Sequence, residues 1–416
     1  MNVLHINGSD LVGGAAIAAN RLHNGLLAKG VDSHLLVGSI SSESDRVATV
    51  PQRHFLENQL GRITWRLGLN YINILSTFKI SRHPFYEQAD VLNFHNLHDN
   101  YFNYLAISSL TARKPAVFTL HDMWSFTGHC SYSYDCERWK TGCGRCPHLD
   151  VYPTVPRDNT RIEWKLKKLV YDRANLSIVT PSNWLTEQAR QSILARFPIH
   201  NIPNGVDTDV YKPLNSEQSR LGLGIPVDKK VLLFGAQSLH DTRKGGDLLL
   251  KALQSLPGTL RSEILLLVMG EGGEKIAKSV DIQTRQLGYI TSDSAKALAY
   301  SAADVFIFPT RADNLPLVLQ ESMACGTPMV SFRVGGVPEL VRHYETGLLA
   351  EPGDANALSE SILHLLEDSH LRNRLSRRCR EIALEEYSLE LQIVRYIELY
   401  NQLTQQMKRF SPQRTE

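Results

Sequence analysis

Two acids and two adjacent bases are the side chains of this sequence best suited to hold a charged ligand. Asp313 and Glu321 lie eight positions apart in PTRADNLPLVLQESMACGTPMV, about two helical turns, so both carboxylates can project from one edge of an element. Arg243 and Lys244 precede two glycines, and a guanidinium beside an ammonium on flexible backbone can clamp a diphosphate. Alternatively, all four residues are ordinary surface residues with solvated side chains.

The residues between the two acids predict the start of a helix. Pro316 suits the first turn, where its missing N–H costs nothing, and Leu317 and Val318 would offer backbone amides to an anionic group. Gly13-Gly14 precedes another helix pattern, at 15–28. Two interpretations of this glycine pair are possible: the backbone comes close to a bound anion, or the glycines only form a tight turn.

Histidines follow two predicted strands. His95 comes directly after the strand at 91–94, and His121-Asp122 follows the strand at 116–119. A histidine at the end of a strand can bond a substrate hydroxyl or take part in proton transfer, because its pKa is near neutral. A structural role is the alternative for each histidine.

The elements that would position these residues alternate along the chain. Short apolar strands separated by amphipathic helices predict an α/β protein with parallel sheets and two Rossmann-like domains. Residues 202–226, rich in Pro, Gly, Asn and Asp, indicate the join, and 384–407 predict one long helix that packs on a domain or bridges the two. The strands are expected at 3–6, 34–37, 91–94, 116–119, 176–179, 231–234, 264–268, 305–308 and 329–332.

Composition limits the class of protein. With 43% hydrophobic and 21% charged residues, the 416-residue chain is typical of a globular protein of two domains, and its net charge of +2 argues against general affinity for nucleic acid. No window holds about 18 uninterrupted apolar residues. The N-terminal MNVLHINGSD has no secretory pattern, so we expect a cytoplasmic protein without a transmembrane helix.

Together, these motifs resemble the retaining glycosyltransferases of family 4, which have the two-domain GT-B architecture. The stretch HDMWSFTGHCSYSYDCERWKTGCGRCP at 121–147 is similar to members of the colanic-acid and exopolysaccharide biosynthesis type. The other matching segments are Gly13-Gly14, FTLHD at 118–122, VTPSNWL at 179–185, IPNGVDTDVY at 202–211, RKGG at 243–246 and ADVFIFPTRADNLPLVLQESMACGTPMV at 303–330.

The resemblance implies a domain order as well as a fold. An acceptor-side Rossmann-like domain is expected at 1–204, with a Cys-rich insert at 124–150. A nucleotide-sugar domain at 205–383 would face it across a cleft, and a helix at 384–416 would cross back to the first domain.

The resemblance also implies an activity. A sugar would pass from a UDP- or GDP-linked donor to a hydroxyl of a glycan or lipid-linked oligosaccharide in surface polysaccharide biosynthesis, with retained anomeric configuration and no catalytic metal. Glu321 would bind the ribose and Asp313 the donor sugar, beside His121. Arg243 and Lys244 would neutralise the leaving diphosphate. Further donor contacts are expected at Gly14, Asn314, Leu315, Leu317, Val318 and Tyr289, and acceptor-side contacts at His95 and Asp122.

Two departures from the family pattern favour an alternative. Asp313 stands where the family usually has Glu, and Arg243 is adjacent to Lys244 where the family usually splits the pair. A catalytically weak or inactive GT-B partner subunit that binds nucleotide-sugar would fit these departures. A sugar-nucleotide epimerase of similar architecture is a third interpretation.

Four cysteines in the insert have the spacing C-x5-C-x6-C-x2-C. Four thiolates so close together predict a structural zinc site, while reduced thiols or two disulfides are the alternatives. The residues are Cys130, Cys136, Cys143 and Cys146.

The segment 58–83 contains basic and aromatic residues but no Asp or Glu. One interpretation is peripheral contact with anionic lipid at the inner face of the plasma membrane. The other is a helix pair that buries its apolar side, including Leu60, Ile63 and Leu67, in the core. The basic and aromatic residues are Arg62, Arg66, Lys79 and Arg82 with Trp65, Tyr71 and Phe78.

Overall fold

The chain folds into two compact α/β units, each with its own parallel sheet. A computed structural model describes residues 1–52, 54–238 and 241–410. The first unit is Met1–Pro203 with the chain from Gln392 onward, and the second is Asn204–Leu391. Among the helices so described, none is both long and apolar enough to cross a membrane.

The first unit alternates strands and helices. Its strands are β1 (Asn2–Ser9), β2 (Asp32–Ser39), β3 (Val47–Thr49), β4 (Val91–Phe94), β5 (Ala116–Thr119), β6 (Ser177–Thr180) and β7 (Ile199–Asn201). Its helices are α1 (Gly14–Ala28), α2 (His54–Arg66), α3 (Pro84–Gln88), α4 (Ile107–Leu110), α5 (Thr160–Tyr171) and α6 (Asn183–Arg190). Short 3-10 helices lie at Leu75–Arg82, Tyr104–Ala106, Trp124–Phe126 and Arg138–Lys140.

The sheet of the first unit is doubly wound. Its strand order is β3-β2-β1-β4-β5-β6-β7, and all neighbouring pairs are parallel. The four residues of β4, β5 and β6 are buried throughout, because helices cover both faces of such a sheet. Chain order reverses between β1 and β4, which creates a crevice at the carboxyl ends of these strands.

The second unit repeats this design with six strands. They are β8 (Lys230–Ser238), β9 (Ile264–Glu271), β10 (Gln283–Gly288), β11 (Val305–Phe308), β12 (Met329–Phe332) and β13 (Gly347–Ala350). The helices are α7 (Ser216–Gly222), α8 (Gly246–Gln254), α9 (Gly258–Arg261), α10 (Gly273–Ser279), α11 (Asp293–Ala302), α12 (Leu317–Ala324), α13 (Val337–Leu340), α14 (Ala355–Glu367) and α15 (Ser369–Glu386), with a 3-10 turn at Thr242–Lys244.

The second sheet has the order β10-β9-β8-β11-β12-β13, again parallel throughout. Alternate residues of β8 enter two apolar clusters on opposite faces: Leu233 joins one, while Leu232 and Phe234 join the other. The reversal of chain order lies between β8 and β11. The carboxyl ends of these two strands therefore form the second unit's ligand crevice.

The last helix, α16 (Leu389–Phe410), packs on the first unit. The buried Tyr396 and Tyr400 bond strand residues there: the Tyr396 hydroxyl lies 3.0 Å from Thr119 Oγ1, and Asn93 Nδ2 donates to the Tyr400 hydroxyl at 2.8 Å. The prediction of one continuous helix over 384–407 is wrong. Val206 accepts from Leu389 and donates to Tyr387, which separates α15 from α16.

Candidate functional site

The loops after β8 and β11 meet at the crevice of the second unit. The chain after β8 turns through Thr242–Lys244 to Gly245, whose φ is 71°. A Cβ at Gly245 would come within 1.8 Å of the Pro309 carbonyl oxygen, so only glycine allows this contact. The glycine thus brings the loop with Arg243 and Lys244 against the loop that follows β11.

Asp313 joins the two loops electrostatically. Its Oδ2 accepts hydrogen bonds from Lys244 Nζ at 2.6 Å and from Arg243 NH1 at 3.0 Å. Asp241 Oδ2 holds the other side of the Arg243 guanidinium at 3.0 Å. The Lys244 ammonium also lies 5.1 Å from the centre of the Phe308 ring, within cation–π range. We call Arg243 and Lys244 the cation pair.

Burial and charge act against each other in this cluster. Burial alone would raise the pKa of Asp313, but the charges of Lys244 and Arg243 hold that pKa below its ordinary value. Burial lowers the pKa of Lys244, although the Asp313 carboxylate opposes this shift. Removing the counter-charge from these cations is therefore costly, and an anionic ligand would replace it well.

The two acids occupy different elements. Asp313 lies in the loop before α12, whereas Glu321 lies on the helix, so the prediction that one edge of an element carries both carboxylates is wrong. Glu321 is 3% exposed, and its Oε2 accepts from the Tyr300 hydroxyl at 3.2 Å. Asn314 and Leu315 are buried between the two acids.

The helix α12 begins at Leu317, as predicted. Pro316 is the N-cap residue rather than the first helical residue, and no side chain caps the helix. The first N–H groups of a helix have no partner within it, so they can donate to an anion. Tyr289, one of the expected donor contacts, follows β10 and is 44% exposed.

Gly14 begins α1 at the corresponding edge of the first unit. A Cβ at this position would meet nothing within 4 Å, so close packing does not explain the glycine. The preceding Gly13 caps the helix with φ 96°, a value that L side chains rarely adopt.

Three histidines form a hydrogen-bonded row in the first unit. His5 Nδ1 lies 3.0 Å from His95 Nε2, and His95 Nδ1 lies 3.1 Å from His121 Nε2. The rings of His95 and His121 are stacked, with centroids 5.4 Å apart. Burial lowers the pKa of all three, that of His121 to about 4, so the imidazoles are neutral at pH 7. We call them the histidine row.

A charged pair lies beside the histidine row. Asp122 Oδ2 bonds His98 Nε2 at 2.9 Å, and Asp122 Oδ1 accepts from the backbone N–H of Trp124 at 2.8 Å. Burial opposes protonation of His98, but Asp122 and Asp99 outweigh it and raise the pKa of His98 to about 9. Burial would raise the pKa of Asp122, yet the His98 charge lowers it. Near pH 7 these side chains form an ion pair.

The four cysteines of the insert are all reduced. Cys143 Sγ accepts from the Gly128 N–H at 3.2 Å, and Cys146 Sγ lies 3.4 Å from His129 Nε2. Burial raises the pKa of Cys130 to about 12 and that of Cys143 to about 11. Over the described ranges, no three His, Cys, Asp or Glu side chains are arranged to hold a metal ion, so the structure gives the predicted zinc site no support.

Sequence reasoning missed several residues that position the site. Asp241 and Tyr300 bond the Arg243 and Glu321 side chains. In the first unit, His5 bonds His95 and His98 bonds Asp122. One signal was available. His5 interrupts an apolar strand, and a fully buried histidine needs a hydrogen-bond partner.

Two family models match the chain, one on each unit. The model described as Glycosyltransferase Family 4 matches residues 12–210. The model described as Glycosyl transferases group 1 matches residues 215–382.

Curated relatives include enzymes of the same class. The Escherichia coli K12 protein named colanic acid biosynthesis glycosyl transferase WcaC is 26% identical over 395 residues, 88% of this chain and 90% of the relative. D-inositol 3-phosphate glycosyltransferase of Acidothermus cellulolyticus is 33% identical over 198 residues, 43% of this chain and 42% of the relative.

Solved structures show the same fold. Sucrose-phosphate synthase of Thermosynechococcus elongatus has a TM-score of 0.70 at 20% identity, covering 98% of this chain and 100% of that chain. HepE of Anabaena, solved in complex with UDP-glucose, has a TM-score of 0.67 at 17% identity, and the match covers 97% of this chain and 100% of HepE. Each of the two units therefore matches a glycosyltransferase family model, and the chain as a whole has the GT-B fold of these structures.

Proposed function

We propose that this glycosyltransferase moves a sugar from a nucleoside diphosphate sugar to a hydroxyl of a glycan or lipid-linked acceptor, with retention, in surface polysaccharide biosynthesis. The observation that carries the proposal is the bonding of Arg243 and Lys244 to Asp313 at the crevice of the second unit. The UDP-glucose named in the HepE structure and the colanic acid named for WcaC support the donor and the product class.

The cation pair has the chemistry to stabilise a departing diphosphate. As the bond between the sugar and the phosphate breaks, negative charge grows on the diphosphate oxygens. Cations that are already in place stabilise this charge without reorganising. Arg243 can bond two phosphate oxygens at once, Lys244 adds a point charge, and the amides of Leu317 and Val318 extend the site.

The two acids would then take different parts of the donor. A diphosphate that replaces Asp313 on the cation pair leaves that carboxylate to accept from a sugar hydroxyl. Glu321, oriented by Tyr300, suits the two hydroxyl donors of a ribose. Burial lowers the pKa of His121 in the first unit to about 4, so this imidazole is neutral at pH 7 and would act as a hydrogen-bonding group rather than as a charge.

Donor turnover tests the proposal directly. Purified protein is incubated with UDP-, GDP- and ADP-linked sugars, and release of the nucleotide is measured with and without glycan acceptors. We expect one donor to be consumed, with Glu321→Gln lowering kcat/KM about a hundredfold. Glu360→Gln, an exposed glutamate of the same unit, is the matched control. Proton NMR of the product shows whether the anomeric configuration of the transferred sugar is retained. The absence of turnover with every donor would reject the proposal.

A specific observation favours the second candidate, a partner subunit that binds nucleotide-sugar without turnover. Asp313 and Asp241 together already balance the two charges of the cation pair, which would weaken the effect of that pair on a leaving group. This candidate predicts binding of a nucleotide-sugar that persists unconsumed for hours in the presence of acceptors.

Peripheral contact with an anionic bilayer is supported by the surface of α2 and the 3-10 helix at Leu75–Arg82. Part of its apolar surface is exposed, although Ile74 and Ile80 are buried as the alternative of a helix pair packed on the core predicts. The only acid at 55–82, Glu57, is 3% exposed and accepts from the Ser76 N–H. The exposed apolar residues are Phe55, Leu56, Ile63, Trp65, Leu67, Leu75 and Phe78, and the exposed basic residues are Arg62, Arg66, Lys79 and Arg82.

A further inference from the structure

Thr310 lies where the two loops of the second unit's crevice meet. It follows β11 and is fully buried. Its hydroxyl oxygen lies 3.1 Å from the Arg243 carbonyl oxygen, 3.2 Å from the Ala312 carbonyl oxygen and 3.4 Å from Asp313 Oδ2. All three oxygens are acceptors, and a hydroxyl has one proton. Thr310 can therefore donate fully to only one of them at a time.

Both of these carbonyl groups also have another donor. The Arg243 carbonyl oxygen accepts from the Arg311 N–H at 2.8 Å, and the Ala312 carbonyl oxygen accepts from Arg243 NH1 at 2.9 Å. A buried carbonyl that loses its only donor is costly, but neither carbonyl would be left in that state if the Thr310 proton turned away. The Thr310 hydroxyl can therefore turn to Asp313 when Asp313 becomes the stronger acceptor.

Asp313 becomes a stronger acceptor when an anion occupies the cation pair. In the ligand-free protein, Asp313 Oδ2 accepts from Lys244 at 2.6 Å and from Arg243 at 3.0 Å. A diphosphate on the cation pair would take both donors, while the second proton of Arg243 NH1 stays with Ala312. The Asp313 side chain is only 11% exposed, so its charge would then be poorly solvated.

We propose that Thr310 is a positioning residue whose hydroxyl receives the Asp313 carboxylate when a diphosphate displaces it from the cation pair. Thr310 keeps the displaced carboxylate charged and in place, and so strengthens binding of the diphosphate. The inference rests on the proposed function only for the identity of the anion, because any diphosphate that displaces Asp313 causes the same exchange. It gives a role to a buried hydroxyl that neither neighbouring carbonyl requires.

Inorganic pyrophosphate tests the inference, because it supplies a diphosphate without base or sugar. Isothermal titration of the full-length protein with pyrophosphate, and in parallel with UDP, GDP and ADP, compares the wild type with Thr310→Val and Thr310→Ser. Valine has nearly the shape of threonine but no hydroxyl, whereas serine keeps the hydroxyl. A hydrogen bond to a charged group is lost in the first variant only, so we expect Thr310→Val to bind about tenfold more weakly and Thr310→Ser to stay within about threefold of the wild type.

The Asp313→Asn background separates positioning from packing. Asparagine leaves no displaced charge for Thr310 to receive, so adding Thr310→Val to Asp313→Asn should change the affinity by less than about twofold. An equal loss of affinity in both backgrounds would overturn the inference.

Thr346→Val is the matched control. Thr346 is also fully buried, and its hydroxyl donates to the Leu340 carbonyl oxygen at 2.6 Å. It precedes β13, at the amino edge of the sheet and therefore at the edge opposite the crevice. Thr346→Val should bind each ligand as the wild type does, and a loss equal to that of Thr310→Val would overturn the inference.

The nucleotides separate the inference from the proposed function. The expected coupling between Thr310 and Asp313 with pyrophosphate, in a protein that binds none of the three nucleotides, would reject the proposed function and leave the inference standing. Nucleotide affinity that Thr310→Val does not change would overturn the inference alone. A wild-type protein that binds neither pyrophosphate nor any nucleotide would overturn both.

Discussion

Asp313→Asn isolates the charge that holds the two loops of the second unit together. The change keeps the size of the side chain but removes the charge from the oxygen that bonds Lys244 at 2.6 Å and Arg243 at 3.0 Å. Arg243 keeps its bond to Asp241, while Lys244 keeps only a neutral acceptor and the ring of Phe308. The ligand-free variant should therefore be less stable.

The magnitude follows from burial. The Asp313, Lys244 and Arg243 side chains are 11%, 18% and 24% exposed, so solvent screens them little. Removing one partner of a fully buried ion pair costs about 3–5 kcal/mol. With Asp241 still present, we expect a loss of about 2–4 kcal/mol in the free energy of unfolding of the second unit. For a unit of this size that is roughly 5–12 °C in Tm.

The same variant should bind a bare nucleoside diphosphate more tightly than the wild-type protein does. Without Asp313, the phosphates need not compete for the cation pair. At saturating nucleotide, a tenfold gain in affinity adds about 1.4 kcal/mol to the free energy of unfolding. The nucleotide should therefore raise the Tm of the variant by more than it raises the Tm of the wild type.

Thermal and urea unfolding with and without UDP, GDP and ADP measure both effects. Asp247→Asn is the matched control, because its bond to Arg311 is largely exposed and should contribute less than about 1 kcal/mol. Two results would refute the reasoning: an Asp313→Asn protein as stable as the wild type, or one whose Tm rises less than that of the wild type on adding the nucleotide.

Three further predictions concern the first unit. Lys167→Met should lower the free energy of unfolding by about 3 kcal/mol, because the buried Lys167 ammonium bonds two backbone carbonyls. The exposed control Lys168→Met should change it by less than about 0.5 kcal/mol. Equal urea midpoints for the two variants would contradict this prediction. In the folded protein the pKa of His98 is raised from 6.5 to about 9, so protonation of His98 stabilises the fold by on the order of 3 kcal/mol. This stabilisation is complete below about pH 6.5 and is lost as the pH rises through 9. The stability difference between wild type and His98→Gln should shrink over that range, and a constant difference would refute it. In vesicle co-sedimentation, the wild-type protein should bind anionic but not neutral vesicles, and Phe55→Ser with Trp65→Ser should weaken binding at least tenfold; equal binding to neutral vesicles would contradict this.

The central strands of both sheets could be predicted from sequence, because each is buried on two faces and reads as an apolar run. All nine predicted strands are present. The four missed strands, β3, β7, β10 and β13, are the edges of the two sheets. An edge strand has one neighbour only, and β10 reads QTRQLG, which resembles a loop. The break between α15 and α16 was missed because it depends on Val206, far away in sequence.

The site could be predicted where chemistry and strand ends coincide. Arg243, Lys244 and Asp313 were recognised by type, and the structure brings them together. The spacing of Asp313 and Glu321 misled, because a helical interval predicts a shared face only if one helix spans both residues. Partners such as His5 and Tyr300 are set by tertiary packing, which no local pattern encodes.

Nucleotide binding to the second unit tests the central claim most directly. Isothermal titration with UDP, GDP and ADP is compared between the wild-type protein, Lys244→Met and the exposed control Lys278→Met. We predict that at least one nucleoside diphosphate binds the wild type and the control equally, and binds Lys244→Met at least tenfold more weakly. Binding that is absent with all three nucleotides, or that is unchanged in Lys244→Met, would contradict the assignment of this cluster as the donor diphosphate site.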